Sequence, residues 1–325
     1  MSMRTVHFIG GEKGGVGKSW VARTMVQYFL DGGNPEVDPS VPLLDEEQLV
    51  QAQGTNSSLP GPSTLPFVAV DCDRSNPTLS NVYRDWTEQV VFSEHPDLED
   101  LADEIFELAL EKSVVVNLPA QVHRPLRDWM LNKKIIAMGQ ANNIQFVHWF
   151  VCDGEDDSIN LVIQSLQELG EQLPHVLIKN HGRCDDWTYF DEHQVSSRAL
   201  EQAKQAGREE PLNVHQALQR YQVPVIEFPK LSTLKRIPLN AHRMTFDQAR
   251  RYKAFGILGR NQIVMYLREA YNAFEETGYL GEKKAPLAPT EASAKSTSGK
   301  STRKAKAKPT PQPPESTDAL ADSPA

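Results

Sequence analysis

The sequence predicts an α/β fold, a mostly parallel sheet with helices on both faces. Short apolar runs alternate with amphipathic stretches from Thr5 to about Leu280, which is the pattern of strands joined by helical crossovers. Hydrophobic residues make up 39 % of the 325 positions and charged residues 24 %, as in ordinary globular proteins. A glycine-rich loop joins the first apolar run to the first amphipathic stretch. These observations indicate a large folded domain that places a loop at one edge of its sheet.

Seven apolar runs account for the predicted strands, in chain order residues 5–9, 67–70, 90–92, 114–116, 146–151, 176–178 and 223–228. Apolar residues at helical spacing predict helices between them, with stripes at Val21, Met25 and Tyr28, at Leu98, Leu101, Ile105 and Leu108, and at Val264, Leu267, Tyr271 and Phe274. Each stripe is expected to face the core.

Two segments depart from this pattern. Residues 31–65 are rich in Pro, Gly, Ser and acidic groups and predict a flexible insertion with one short helix near 44–50. Residues 282–325 contain almost no apolar side chain larger than Ala and predict a disordered tail. The first half of the tail is basic, between Lys295 and Lys308. The predicted folded domain therefore spans residues 1–281.

Charge and apolar content indicate which partners and which cellular location to expect. The net charge of −9 argues against a wholly basic nucleic-acid binder. No apolar run approaches the roughly 18 residues needed to span a bilayer, and no signal peptide is evident. Cys72, Cys152 and Cys184 are widely spaced, and the histidines are dispersed, so structural roles are expected for both. We expect a cytoplasmic protein without membrane contact or a zinc site.

The strongest motif follows the first predicted strand, at Gly10-Gly11-Glu12-Lys13-Gly14-Gly15-Val16-Gly17-Lys18-Ser19. Glycines let successive backbone N–H groups point inward, and the following helix adds its positive N-terminal end. Lys18 can then reach the β- and γ-phosphates of a nucleotide, and the Ser19 hydroxyl can bind Mg²⁺. The motif predicts an ATP and Mg²⁺ site of the P-loop NTPase type. Its nucleotide-binding residues are Gly14, Gly15, Val16, Gly17, Lys18 and Ser19.

The loop departs from the standard phosphate loop because Glu12 occupies the first glycine position and an additional lysine, Lys13, follows it. In this respect residues 13–19 resemble the deviant Walker A motif of the ParA/MinD family of ATPases. That resemblance covers about residues 4–280 but is specific mainly in three short motifs. It implies that Lys13 reaches across a two-fold interface to the nucleotide of a second subunit.

The other two motifs follow later strands. Asp71 and Asp73 end the second strand and point the same way, and they look like the family's D-x-D segment. By that resemblance Asp73 orients the attacking water and Asp71 helps to order the Mg²⁺ shell. Residues 113–117 resemble a Walker B strand, but Asn117 stands where the family carries a magnesium-holding aspartate. An amide can accept the same hydrogen bond without contributing charge, which puts magnesium affinity and the rate of hydrolysis in doubt.

A weaker feature is Asn180, at the end of the strand over 176–178. In the family an Asn here contacts adenine, and the loop after the next strand, which begins with Pro229, closes the base pocket. A turn-starting Asn without that role is the alternative.

The resemblance implies a homodimer formed on ATP binding, an adaptor protein that stimulates turnover, and a cargo that is positioned or partitioned. It also implies non-specific DNA binding, for which the candidates are Arg250, Arg251, Lys253 and the basic tail. One alternative is a switch with little hydrolysis that recruits partners when ATP is bound. Another is a phosphotransferase or ligase on the same fold, for which no second substrate site is evident.

Overall fold

The computed structural model describes residues 3–52, 62–93, 95–207 and 209–280, and its centre is a sheet of seven parallel strands. Parallel pairing of six neighbouring strand pairs gives the order β3-β2-β4-β1-β5-β6-β7. The strands are β1 Arg4–Gly10, β2 Phe67–Asp71, β3 Thr87–Gln89, β4 Ser113–Asn117, β5 Ile144–Cys152, β6 His175–Asn180 and β7 Val225–Phe228. The predicted α/β class with a parallel sheet is confirmed.

Helices cover both faces of the sheet because successive strand residues point to opposite sides. In β4, Val115 packs in one core cluster, with side chains of the first and last helices, whereas Val114 and Val116 pack in a second cluster on the other face. In the described residues the α-helices are α1 Lys18–Leu30, α2 Glu46–Ala52, α3 Thr78–Val82, α4 Asp103–Ala109, α5 His123–Asn132, α6 Ile135–Ala141, α7 Asp156–Leu169, α8 Thr188–Asp191, α9 Ser197–Gln205, α10 Val214–Arg220, α11 Thr233–Ala241, α12 Phe246–Arg251 and α13 Gly256–Glu276. Short 3₁₀ helices lie at Pro62–Thr64, Arg84–Trp86, Pro96–Ala102 and Lys253–Phe255.

One predicted strand is displaced. The third strand occupies Thr87–Gln89 and ends before the predicted residues 90–92. Val90 is instead buried in the core just after the strand, with Phe92 packed against the same cluster. A short apolar run predicts burial, but burial alone does not distinguish a strand from the segment that follows it.

The described part of the predicted insertion packs against the late helices. Leu44 forms a parallel bridge with Tyr252, and Leu49 on α2 is fully buried. The guanidinium of Arg250 binds the carboxylate of Asp31 at 2.9 Å and the carbonyl oxygen of Pro35 at 2.7 Å. Residues 31–52 are therefore attached to the domain by buried contacts, and α2 corresponds to the helix predicted near 44–50. The predicted tail, 282–325, lies outside the described residues.

The same contacts correct the predicted DNA surface. Arg250 and Arg251 are only 5 % and 6 % exposed, and Arg251 is paired with Asp247 at 2.6 Å. Buried guanidinium groups that already bind carboxylates cannot neutralise DNA phosphates, so the prediction for these two residues is wrong. Lys253 is half-exposed and lies 3.3 Å from the carboxylate of Asp45.

In the part of the chain that the structure describes, no helix is both long and apolar enough to cross a membrane.

Candidate functional site

The glycine-rich loop connects β1, which ends at Gly10, to α1, which begins at Lys18. Gly17 caps α1 with φ 103°, a left-handed conformation that favours glycine. A Cβ atom at Gly17 would also lie 2.2 Å from the side-chain nitrogen of Asn180. Backbone conformation and close packing thus both require glycine at the point where the loop enters the helix.

Lys18 is 6 % exposed, and its ammonium group bridges the loop. Its Nζ donates hydrogen bonds to the carbonyl oxygens of Gly11 at 2.8 Å and Lys13 at 3.2 Å. Burial lowers the pKa of Lys18, while the nearby carboxylates of Asp73 and Glu12 oppose that shift. The lysine is therefore held inside the loop by neutral carbonyl groups, where an anion would be a stronger partner.

A cavity of about 630 Å³ opens above the loop, at the carboxyl ends of the strands. This volume is within the usual range for small-molecule sites. Most of the predicted site residues share its lining: Gly14, Gly15, Gly17, Lys18, Ser19, Asp73, Asn180 and Pro229. The side chain of Val16 is buried beneath the loop.

The lining is strongly cationic. Among the described residues that line the cavity, the only carboxylate is Asp73, and the cations are Lys18, Arg23, Arg183, Arg236 and Arg243. No cation of this set forms an ion pair with a carboxylate of the described residues. A concave site with several unpaired cations attracts a polyanion.

Asp73 lines the cavity from the loop after β2. Its Oδ1 accepts hydrogen bonds from the Ser75 hydroxyl at 2.6 Å and from the Asn76 backbone N–H at 3.1 Å. These bonds hold the half-buried carboxylate at the cavity wall. Asp73 therefore lines the same cavity as Lys18, and its water-orienting role stays a prediction.

Asp71 and Asn117 are adjacent in the sheet register but do not contribute to the described lining of the cavity. The Asn117 amide, 0 % exposed, donates a hydrogen bond from Nδ2 to Asp71 Oδ1 at 2.9 Å. Ser80 donates its backbone N–H to Asp71 Oδ2 at 3.0 Å, and burial raises the pKa of Asp71. The structure brings these two predicted magnesium residues into contact, and of the three predicted magnesium ligands only Ser19 belongs to the described lining of the cavity.

Asn180 braces the loop. Its Nδ2 donates to the carbonyl oxygen of Val16 at 2.7 Å, and its Oδ1 accepts from the Gly182 N–H at 2.9 Å. The amide therefore fixes the shape of the phosphate loop as well as lining the cavity beside Pro229. Contact with adenine stays a prediction.

The Lys13 side chain binds carboxylates of the same chain. Its ammonium forms ion pairs with Asp153, at 3.1 Å, and with Glu155, which lie just after β5. The hydrogen bond to Glu155 is the main cause that raises the pKa of Lys13. The resemblance implies that Lys13 reaches across a dimer interface. To do so, Lys13 must exchange these ion pairs for contacts with a second subunit.

Sequence reasoning missed the contribution of Trp20, Arg23, Arg236 and Arg243 to the cavity. Arg236 and Arg243 belong to late helical segments far along the chain from the loop, and no motif links them to it. Arg23 lies on the same helix as Lys18, five residues later, but no motif marks it as a site residue.

The remaining histidines and cysteines form no metal centre in the described part of the chain. His148 and His175, predicted to be dispersed, are neighbours with Nδ1 and Nε2 3.2 Å apart, and both are buried. The expected structural role is consistent with this packing, since a Cβ atom at Gly10 would lie 2.2 Å from Nε2 of His148.

Comparison of the chain with models of known protein families and with curated proteins gave no match. The functional assignment therefore depends on the residues and geometry of the cavity.

Proposed function

We propose that this protein is an ATPase of the ParA/MinD type, which binds ATP and Mg²⁺ in the cavity above the glycine-rich loop. The observation that carries the proposal is the buried Lys18, held within a glycine loop at the start of α1 and facing a cavity whose cations have no carboxylate partners. Loop N–H groups, the positive end of the helix and Lys18 together form the arrangement that binds nucleotide phosphates.

The residues present fit this ligand. Lys18 and the N–H groups of Gly14, Gly15 and Gly17 would hold the phosphates, and the Ser19 hydroxyl would bind the metal. Bound Mg²⁺ would supply charge neutralisation at the phosphate oxygens. Asp73, which also lines the cavity, would orient a water molecule. Asp71 would act indirectly, by fixing the start of the loop that carries Asp73, since it accepts the backbone N–H of Asp73 at 3.3 Å.

Dimerisation would be the working event of this proposed cycle. Lys13 would leave Asp153 and Glu155 and complete the site of a second subunit, and hydrolysis would return the protein to the monomer. We expect the ATP-bound dimer to act in the cytoplasm with an adaptor protein, to position or partition a cargo. DNA binding would depend on the basic tail and exposed cations such as Lys253.

A hydrolysis-poor switch is the second candidate, and the placement of Asn117 favours it. Asn117 carries no charge and its Nδ2 is already engaged with Asp71. A site without the expected magnesium-holding carboxylate could bind ATP firmly and turn it over very slowly. Such a protein would recruit partners while ATP is bound.

Steady-state phosphate release, measured over a range of Mg²⁺ concentrations with and without DNA, tests the proposal. Slow turnover that DNA stimulates, absent in Lys18→Ala and retained in the exposed control Lys204→Ala, supports the ATPase. Binding of ATP without turnover supports the switch. Light scattering with a non-hydrolysable ATP analogue tests the dimer separately. Turnover that persists in Lys18→Ala would contradict the assignment of this cavity.

A further inference from the structure

The cavity extends beyond the phosphate loop along α1. Arg23 follows Lys18 by five residues, which is about 7.5 Å along a helix axis. Asn240 on α11 and Met244 after it lie against Arg23, so the far part of the cavity is bounded by α1 and α11. This region, defined by Trp20, Arg23, Arg236, Asn240 and Arg243, is called the arginine lobe.

Arg23 forms the buried base of the arginine lobe. Only 1 % of the residue is exposed, and its guanidinium donates to Asn240 Oδ1 at 2.7 Å and to the Met244 carbonyl oxygen at 2.9 Å. The group also lies 4.7 Å from the ring centre of Trp20. All of these partners are neutral. A buried guanidinium without a counter-charge is costly to a folded protein.

Part of the donor capacity of Arg23 is unused. A guanidinium has about five N–H donors, and the Nε donor is buried without a partner among the described residues. The two bonds from Nη1 and Nη2 fix the plane of the group. Arg23 is thus held in place with its positive charge uncompensated.

Arg236 and Arg243 extend the lobe from its wall to its rim. Arg236 is half-buried on α11, and Arg243 is exposed just after that helix. Arg243 has φ 48°, at a helix end where glycine or asparagine is usual. The chain thus tolerates an unfavourable backbone conformation that places a third guanidinium beside the cavity.

We infer that the arginine lobe binds a second anionic group, a carboxylate or phosphate carried by a small molecule distinct from the nucleotide. Three guanidinium groups without carboxylate partners match such a group by charge and by hydrogen-bond geometry. The phosphate loop has its own cation, Lys18, which precedes Arg23 on α1 by about 7.5 Å along the helix axis. This inference goes beyond the proposed ATPase cycle and makes the cavity a two-ligand site.

Calorimetric titration with inorganic phosphate, and separately with malonate, tests the inference in two forms of the protein. One form is Lys18→Ala without nucleotide, in which the phosphate loop lacks its cation. The other is the wild-type protein saturated with a non-hydrolysable ATP analogue and Mg²⁺. Both forms are expected to bind one anion per chain, and the tighter of the two probes identifies the group as phosphate or carboxylate.

Arginine variants of the Lys18→Ala protein locate the anion. Arg236→Ala and Arg243→Gly should each weaken binding about tenfold, as expected for the loss of a charged hydrogen bond. Arg243→Gly suits the left-handed backbone and so preserves the fold. Arg198→Ala, on the exposed surface of α9, is the matched control and should bind like its parent.

Two results would overturn the inference. The first is absence of anion binding by Lys18→Ala, or equal binding by the lobe variants and Arg198→Ala. The second is absence of anion binding by the analogue-loaded protein together with loss of analogue affinity in Arg243→Gly, which would assign the arginines to the nucleotide. If the ATP analogue fails to bind the wild-type protein, the proposed function is wrong. The Lys18→Ala titration still tests whether the arginine lobe binds an anion.

Discussion

The cations of the cavity and those of α12 differ in their partners. Arg23 is buried and binds only neutral groups, whereas Arg250 is equally buried and binds Asp31, with Asp247 close by. Both sets come from stretches that look alike in the sequence, basic residues on amphipathic helices. A buried cation with a carboxylate partner has its charge compensated within the fold, whereas one without a partner leaves charge available to a ligand.

This difference separates structural charge from functional charge. Arg250 joins the segment after α1 to α12, and its contacts with Asp31 and Pro35 also fix the start of the insertion. Arg23 on α1, Arg236 on α11 and Arg243 just after α11 all line the cavity, although α1 and α11 are distant in the chain. Counting basic residues by segment cannot make this distinction, because it depends on which acidic side chains the fold brings near.

The largest effect on stability is expected from Arg250→Ala. Removing one partner of a buried ion pair leaves the Asp31 charge uncompensated, which costs about 3–5 kcal/mol. The free energy of unfolding, measured by urea denaturation, should fall by that amount. Lys253→Ala breaks an exposed pair with Asp45 and should change the free energy of unfolding far less. Equal losses in the two variants would remove the structural role given to the Arg250 pair.

A buried histidine differs from the buried arginines because it can lose its proton and become neutral. Burial lowers the pKa of His175 to about 4, so the folded protein holds it neutral. The unfolded chain takes up that proton nearer its ordinary pKa, and stability must therefore fall as pH falls through this window. The slope is about 1.4 kcal/mol per pH unit for one histidine.

Urea denaturation between pH 6.5 and 5 measures this slope. His175→Asn should reduce it by about 1.4 kcal/mol per pH unit. A slope in His175→Asn identical to that of the wild-type protein would show that His175 does not titrate differently in the two states.

The smallest expected change in the free energy of unfolding is a gain in stability, in Arg243→Gly. Arg243 lies in a left-handed conformation with φ 48°, which disfavours any residue with a Cβ atom. Arg243→Gly should raise the free energy of unfolding by about 0.5–1 kcal/mol after allowance for the greater freedom of glycine in the unfolded chain. Thermal denaturation measures the change. A loss of stability would indicate that the Arg243 side chain supports the fold rather than the cavity.

Much of the fold followed from the sequence. The apolar runs are continuous because parallel strands are buried on both faces, and the glycine loop stands between the first strand and helix where a phosphate site requires it. Val90 and Phe92 were misplaced since a buried residue after a short edge strand has the composition of a strand. The placement of Lys18, Ser19, Asp73 and Asn180 around one cavity agrees with the prediction from their motifs.

The contacts of the buried arginines could not be predicted, because they join parts of the chain that are distant in sequence. The burial of Arg250 requires Asp31, which lies 219 positions away in sequence. The link from Arg23 to Asn240 spans 217 positions. Neither pairing leaves a local pattern in the sequence. Asn117 was identified as unusual from the resemblance of residues 113–117 to a Walker B strand, but its bond to Asp71 required the sheet register.

Ligand-linked stability tests the central claim most directly. The free energy of unfolding is measured for the wild-type protein and for Lys18→Ala, with and without a non-hydrolysable ATP analogue and Mg²⁺. At an analogue concentration 100 times the dissociation constant, the wild-type protein should gain about 2.7 kcal/mol. Lys18→Ala should gain almost nothing under the same conditions, and Lys204→Ala should match the wild type. An equal gain in Lys18→Ala, or no gain in the wild-type protein, would contradict a nucleotide site at this loop.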